Sequence, residues 1–185
     1  PEHSQHVDFS KPILPIGDIC YVSFGCRPNS DEKIAKGLFV VADLLSDKYD
    51  NNHPKPYIEA KDINRWTYDQ TRWLEWGTER SPLLLARPTF ENLYEVQEKI
   101  VAADVSGAEN RAAYDSCKVY HSHTLISFVP WHHLHGVQNN SLKKAARYRG
   151  EKSRPDLPCR DDLEATSRRF AVKYLLGVMN SSAAR

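Results

Sequence analysis

The chain has 185 residues, of which 41% are hydrophobic and 26% are charged, and its formal net charge is +1. A chain of this length fits a single domain and buries well over half of the surface of its unfolded state, so we expect a globular protein. The sequence has no run of about 18 apolar residues, which excludes an ordinary membrane-spanning helix. The segment beginning at Pro1 lacks the features of a signal peptide, so we expect a cytoplasmic protein and a fragment of a longer chain.

The charges are unevenly distributed along the chain. Residues 111–185 contain 13 Lys and Arg against 6 Asp and Glu, whereas residues 1–110 contain 12 against 18. A chain divided in this way presents a basic face while remaining nearly neutral overall. That distribution suits an acidic polymer as a partner.

The cysteines predict neither a metal site nor a disulfide framework. Cys20, Cys26, Cys117 and Cys159 form no CxxC pair and have no regular spacing. We therefore expect four buried or half-buried free thiols in a reducing compartment.

The first predicted elements are strands, which are rich in β-branched and aromatic residues. In chain order they cover residues 16–24, 38–42, the beginning of 57–66 up to a turn at Asp62, 72–76, 99–106 and 122–129. Thr89 is predicted to cap a helical turn over residues 91–96. Many short strands with turn residues between them are typical of a twisted, mostly antiparallel sheet.

Two helices are predicted late in the chain. Asn140 or Ser141 is a suitable cap for a helix over residues 142–148. Phe170, Tyr174 and Val178 are spaced as one apolar stripe of a second helix, with Ala171, Leu175 and Met179 beside them. The predicted fold class is therefore α+β, with one domain over residues 1–185.

The strongest local charge feature is a basic segment comprising residues 143–154. It contains Lys143, Lys144, Arg147, Arg149, Lys152 and Arg154, with Glu151 as its one acidic residue. Binding of DNA phosphates requires Lys and Arg side chains that reach oxygens spaced along the backbone. Gly150 and Pro155 predict a loop, where such residues are accessible to a partner. The alternative interpretation is a solvated helix face followed by a surface loop.

A second group of candidate DNA-binding residues lies in the first half of the chain. Arg27 and Asn29 occupy a turn-forming loop, and their side chains are the types that read guanine and adenine in the major groove. Alternatively, Asn29 supports the turn while Arg27 pairs with a neighbouring acid. Lys61, Asn64 and Arg65 follow a predicted strand end. The nearby Trp66, Trp73 and Trp76 are interpreted as core and sheet-edge packing rather than as base-stacking platforms.

Five of the eight histidines fall between His121 and His135. His121 and His123 would lie on one face of a strand, a spacing that is compatible with zinc. The sequence supplies no Cys, Asp or Glu between Cys117 and Glu151 to complete such a site. We therefore interpret these histidines as polar surface residues.

Catalytic motifs are scarce. Glu59 and Lys61, with Asp43, Asp47 and Asp50 upstream, have the residue types of a magnesium-dependent nuclease site, in which carboxylates hold the metal. Short patterns of this kind are common by chance. The sequence contains neither a glycine-rich phosphate loop before a helix nor a G-x-S-x-G elbow.

Six segments, taken in order, carry a resemblance to a known family. They are LPIGDICYVSFGCRPNSDEKIAKGLFVVADL, PYIEAKDINRW, RWLEWG, RPTFENLYEVQEKIVAADVSG, YDSCKVYHSHTLISFVPWHHLHGVQNNS and RRFAVKYLLGVMNSSAAR. This set resembles the target recognition domain of adenine-N6 DNA methyltransferases and of type IIG restriction–modification enzymes. The resemblance covers roughly residues 13–184.

The resemblance implies a module that binds double-stranded DNA and selects its sequence without catalysing a reaction. A methyltransferase domain of the same parent chain, in a prokaryotic cell, would bind S-adenosylmethionine, and a parental nuclease would use Mg²⁺. The Asn-Pro-Pro-aromatic motif of that methyltransferase is absent from this sequence, so no cofactor is expected here. The expected DNA-binding residues are Arg27, Asn29, Lys61, Asn64, Arg65, Lys143, Lys144, Arg147, Arg149, Lys152 and Arg154. The alternative is a magnesium-dependent nuclease that uses Glu59 and Lys61.

Overall fold

The computed structural model describes residues 13–27, 39–81, 90–104 and 111–181. Within them lie strands β1 (Cys20–Phe24), β2 (Leu45–Ser46), β3 (Lys55–Ile58), β4 (Arg72–Leu74), β5 (Lys99–Ala103), β6 (Ala112–Asp115), β7 (Tyr120–His121) and β8 (Leu125–Pro130). The α-helices of this part are α1 (Ile16–Ile19), α2 (Asn140–Ala145), α3 (Arg160–Ser167) and α4 (Val172–Met179). Short 3-10 helices cover Val41–Leu44, Ala60–Asp62, Glu91–Leu93 and Trp131–Leu134. The predicted α+β class is confirmed.

The first sheet has the order β1-β8-β5-β6, and every neighbouring pair is antiparallel. Its central strand β5 is covered on both faces, because successive side chains point to opposite sides. Ile100 and Ala102 pack toward α1 and α4, whereas Val101 packs with Leu125 on the other face. Apolar residues on both sides of one strand account for its continuous run of buried positions.

The second sheet has the order β2-β4-β3-β7. Its pairs are antiparallel except for β3 and β7, which run parallel with Tyr57 opposite Tyr120 and Ile58 opposite His121. The largest apolar cluster lies between this sheet, the first sheet and helices α2 and α3. Its aromatic rings include Tyr94, which stacks on Tyr120 with ring centroids 4.3 Å apart.

Two segments predicted as strands begin differently. Residues 16–19 form the helical turn α1, in which the Asp18 N–H donates to the Pro15 carbonyl, and the strand begins only at Cys20. The strand predicted over 38–42 is wrong where the structure describes it. A 3-10 helix begins at Val41 because the Asp43 carboxylate accepts from the Val40 N–H at 2.8 Å. A local side-chain bond of this kind competes with strand pairing.

Other predicted boundaries shift by a few residues. The strand predicted from Ser122 begins at Leu125, because the Ser122 hydroxyl accepts from the Thr124 N–H and holds a turn. The Glu91–Leu93 3-10 helix replaces the longer turn predicted over residues 91–96, and its predicted cap Thr89 lies outside the described residues. Helix α2 is capped by Asn139, whose side chain accepts from the Ser141 N–H, and it ends at Ala145.

The apolar stripe predicted for α4 is confirmed at Leu175 and wrong at Tyr174 and Val178. Val172, Leu175 and Leu176 are the buried residues of this helix, whereas Tyr174 and Val178 are 61% and 47% exposed. The helix carries apolar residues on both sides, so spacing alone does not identify the side that packs on β5 and β6. None of the helices in the described ranges has the length and apolar character needed to cross a membrane.

Candidate nucleic-acid interface

The basic segment (residues 143–154) starts in α2 and leads into the residues before α3. Its first half is anchored because Leu142 and Ala146 are buried in the main core. The main chain of Arg147 then pairs with the residues before α3, donating to the Pro158 carbonyl at 3.0 Å and accepting from the Arg160 N–H at 2.8 Å. Residues 148–157 therefore form a projecting loop whose base is closed by these hydrogen bonds.

Five of its six basic side chains are exposed, namely Lys143, Lys144, Arg149, Lys152 and Arg154. The Arg149 side chain is 87% exposed and lies 3.9 Å from its nearest carboxylate, that of Asp161. Glu151 accepts hydrogen bonds from the Tyr148 N–H and the Ser153 hydroxyl, and these bonds lower the pKa of its carboxyl. The Glu151 carboxylate is thus hydrogen-bonded within its own turn, and Lys143, Lys144 and Lys152 are exposed to solvent.

Arg147 differs from the other predicted phosphate ligands. It is only partly exposed, and its Nε donates to the Leu157 carbonyl at 2.8 Å. The side chain therefore closes the loop between α2 and α3. A role in binding phosphate would have to use its remaining guanidinium nitrogens.

Arg160 is a buried arginine that sequence reasoning missed, and it contacts the basic segment at Tyr148. Arg160 is 4% exposed, and its Nη1 donates to the Val137 carbonyl at 2.8 Å. Its Nε donates to Glu164 at 3.1 Å, and its guanidinium carbon lies 5.9 Å from the centroid of the Tyr148 ring. The sequence signal for this role is weak, because an Arg preceding two acids resembles an ordinary helix start.

The second group of candidates is assembled around the turn at residues 122–124. The Cys26 N–H donates to the His121 carbonyl at 2.9 Å, and Cys26 forms a parallel bridge with Ser122. Arg27 is exposed immediately after this bridge. Lys61 lines a cavity of about 320 Å³ whose walls also include Glu59 and residues 122–124. The fold thus brings Arg27 and Lys61 to one end of the first sheet.

Asn64 and Arg65 are exposed but tied to their surroundings. The Asn64 amide donates to Asp69 at 3.0 Å. The Arg65 guanidinium donates to the Asn180 carbonyl at 2.6 Å, at the C-terminal end of α4. Asn29 lies outside the described residues, so its predicted role stays a prediction.

The two groups lie at opposite ends of the first sheet. Residues 122–124 precede β8, whereas Trp131, whose ring lies 5.8 Å from the Arg160 guanidinium, follows it. β8 has six residues, which span roughly 20 Å at about 3.3 Å per residue. That length corresponds to about six base pairs of duplex at about 3.4 Å each.

The described histidines do not form a metal site. His121 is completely buried, so its prediction as a surface residue is wrong. Its Nδ1 donates to the Ser122 carbonyl at 3.2 Å, and its Nε2 accepts from the Ser127 hydroxyl at 2.5 Å. His123 is exposed on the same turn. The described part of the chain contains no group of three or more His, Cys, Asp or Glu placed to hold a metal ion.

Burial of His121 makes the stability of the fold sensitive to acid. Burial lowers the pKa of His121 from 6.5 to about 3, so below pH 6.5 the unfolded chain binds this proton more readily than the folded chain. We expect the free energy of unfolding to fall by about 1.4 kcal/mol per pH unit as pH falls from about 6.5 toward 3 from this residue alone.

Urea unfolding at pH 7.5, 6, 5 and 4 measures this effect. His121→Gln should remove most of the slope, whereas the control His123→Gln, which replaces an exposed ring, should retain it. Parallel pH dependences for the wild type and His121→Gln would contradict the assignment.

Glu59, the central carboxylate of the alternative nuclease site, is engaged in ion pairs. Glu59 accepts from Arg72 at 2.9 Å and lies 3.5 Å from the Lys61 ammonium. The same Arg72 guanidinium binds Asp62. Asp50, predicted as an upstream carboxylate, is bonded to His53 at 2.9 Å. These contacts neutralise Glu59 with two cations, an arrangement that does not favour binding of a metal.

All four cysteines are free thiols, as predicted. Cys20 and Cys26 are buried and Cys159 is half-buried, whereas the expected burial is wrong for Cys117, which is exposed. Burial raises the pKa of the Cys20 and Cys26 thiols to about 12, so neither is suited to act as a nucleophile.

Comparison with protein-family models and with curated proteins finds no match to this chain. The resemblance to target recognition domains therefore stays a prediction. The positions of the two basic groups are the structural features that bear on function.

Proposed function

We propose that this chain is a DNA target recognition domain that binds duplex DNA and does not itself catalyse a reaction. The observation that carries the proposal is the basic segment, residues 143–154, with five exposed Lys and Arg side chains on an anchored projection. Exposed cations on a rigid support are what binding to a regular array of phosphates requires.

In this proposal the two basic groups have different tasks. The basic segment contacts phosphates, which are identical at every base pair and fix position without conveying sequence. Arg27 follows the bridge at Cys26, and Lys61 lies in the Ala60–Asp62 3-10 helix, so the sheet supports both residues at its other end. An Arg at such a position has the paired donors that distinguish guanine. We assign sequence reading to this end of the molecule.

The proposal places the chemistry in a different part of the parent protein. A methyltransferase domain of the parent would bind S-adenosylmethionine and close on the other side of the duplex. By itself, this chain should bind DNA weakly, with a dissociation constant of about 10⁻⁴ to 10⁻⁶ M at physiological salt. It would function in the cytoplasm of a prokaryotic cell.

Neutralising two lysines of the basic segment tests the proposal. We expect Lys143→Ala/Lys144→Ala to weaken binding to every duplex sequence alike and to reduce the slope of log K against log salt by about two, because each lost phosphate contact contributes about 0.9. Fluorescence anisotropy of a labelled random-sequence duplex, titrated at several salt concentrations, measures both quantities.

The matched control is Lys48→Ala/Lys118→Ala, which removes the same charge from two exposed lysines outside the basic segment. It should leave the slope within about 0.5 of the wild type, a margin set by the contribution of one contact. Equal effects of the two double variants, or binding by the wild type that does not depend on salt, would contradict the proposal. Cleavage or methylation of the DNA by the chain alone would contradict its non-catalytic part.

A further inference from the structure

Trp66 has a backbone conformation that is unusual for a bulky residue. Its φ is +79°, in the left-handed region that glycine adopts without steric cost. The conformation is held by β6: the Trp66 N–H donates to the Ala112 carbonyl at 2.9 Å, and the Trp66 carbonyl accepts from the Tyr114 N–H at 3.3 Å. The main chain at this position thereby covers the outer edge of the first sheet.

Covering the edge of the first sheet requires only the main chain at this position, so it does not explain why the residue is a tryptophan. Glycine would make the same two main-chain hydrogen bonds with less strain, and the indole is 47% exposed instead of filling the core. This exposure corrects the interpretation of Trp66 as a packing residue. A strained residue whose side chain projects into solvent is a reason to look for a binding role.

The indole is rigidly backed by an arginine. The guanidinium carbon of Arg65 lies 5.3 Å from the centroid of the Trp66 ring. Arg65 is itself held by its bond to the Asn180 carbonyl at 2.6 Å. Asn180 is 2% exposed and exchanges two hydrogen bonds with the backbone of Ala112. Each partner of Arg65 and Trp66 therefore belongs to the packed junction of α4 and β6.

A second arginine contacts the loop that carries this indole. Arg111, one residue before Ala112, donates to the Ile63 carbonyl at 3.3 Å in the same loop as Trp66. The nearby Asp69 is bonded to the Asn64 amide. An exposed indole beside Arg65, with Arg111 bonded to the same loop, matches the chemistry of a nucleobase next to its phosphates, because bases stack on aromatic rings and arginines attract the backbone.

We propose that Trp66 is a base-stacking residue that takes an unpaired base of the bound DNA on its exposed indole face. The inference rests on the proposed function and adds a ligand that the two basic groups do not provide for, namely a base outside the duplex stack. Arg65 holds the indole in place, and Arg111 lies where a flanking phosphate would be accessible.

The test compares two labelled duplexes of one sequence, one fully paired and one with a single extrahelical adenine. We expect the wild type to prefer the second by about 5- to 150-fold, the range that corresponds to stacking of one base on an aromatic residue. Trp66→Ala should remove this preference and leave affinity for the paired duplex within about twofold. Trp66→Phe should retain part of it, because a smaller aromatic face remains.

The control Tyr49→Ala removes another exposed aromatic residue, which lies against Trp73 in the second sheet, and should retain the full preference. Trp66→Gly keeps the backbone conformation without strain, so it should fold and also lose the preference. If the wild type binds both duplexes equally, or the glycine variant keeps the preference, stacking by Trp66 is overturned while DNA binding stands. If the wild type binds neither duplex, both proposals fail.

Discussion

Gly25→Ala is expected to destabilise the protein by about 3 kcal/mol or more, because the added methyl group has no space. A Cβ at this position would lie 2.2 Å from the Ser122 carbonyl oxygen, 2.3 Å from the His121 carbonyl oxygen and 2.2 Å from the His121 Nδ1. Two of these atoms belong to the backbone, so a change of rotamer cannot relieve the overlap.

The position of Gly25 explains why residues 121 and 122 approach its backbone so closely. It joins β1 of the first sheet to the bridge at Cys26, and its N–H donates to the Leu125 carbonyl at 3.0 Å. A shift here would separate Arg27 from the turn at residues 122–124. We therefore expect the DNA sequence preference of the Gly25→Ala variant to change even under conditions in which the variant remains folded.

Urea unfolding of Gly25→Ala measures the loss, with Gly177→Ala as the matched control. Gly177 lies in α4, and a Cβ there meets no heavy atom within 4 Å. That control should be more stable than the wild type by about 0.5 to 1 kcal/mol, the difference between Gly and Ala in a helix. A loss below about 1 kcal/mol for Gly25→Ala, well under the usual cost of overpacking, would contradict the predicted overlap.

Asp115→Ala is the second change with a large expected effect, about 3 to 5 kcal/mol, because it leaves a buried ammonium unpaired. Asp115 is 1% exposed, and its ion-pair partner Lys99 is fully buried. Asp115 also accepts from the Tyr68 hydroxyl at 2.7 Å and from the N–H groups of Cys117 at 2.8 Å and Val119 at 3.1 Å. The substitution removes four bonds from one place in the core.

Burial lowers the pKa of Lys99, and the charge of Asp115 opposes that effect. Without Asp115, the ammonium would keep only the Tyr94 carbonyl, 2.9 Å from its Nζ. Lys99→Met should cost less than Asp115→Ala, because Asp115 would retain its three neutral donors.

Thermal and urea unfolding of both variants should be compared with Asp156→Ala. Asp156 pairs with Arg154 at 3.4 Å, and both side chains are exposed, so its loss should leave the stability of the fold nearly unchanged. Similar losses for Asp115→Ala and Asp156→Ala would show that the buried pair does not stabilise the fold.

The proposed DNA-binding roles depend on these buried features. Gly25 and His121 join the residues before Arg27 to the turn at residues 122–124, which lines a cavity with Lys61. Arg160 supports the basic segment at the other end of the first sheet. About 20 Å of β8 separates the two ends. In the proposed function, a duplex that contacts both ends would have its bases read near Arg27 and Lys61 and its phosphates bound by the basic segment.

Local composition was sufficient for the features that depend on near neighbours. The strand at β5 and the basic segment were predicted from their own residues, because burial on both faces requires a continuous apolar run and a cluster of like charges favours solvent. The α+β class followed from the succession of short strands and late helices.

Contacts between residues distant in sequence decided the rest. The side of α4 that packs on the first sheet depends on β5 and β6, so its apolar spacing alone placed the exposed Tyr174 and Val178 in the predicted stripe. Lys99 and Asp115 lie 16 positions apart, and neither residue type indicates burial until the antiparallel pairing of β5 and β6 brings them together. Trp66 was expected to pack because it is large and apolar. Only its bonds to β6, formed across 46 or more positions of sequence, fix the positive φ that directs the indole to solvent.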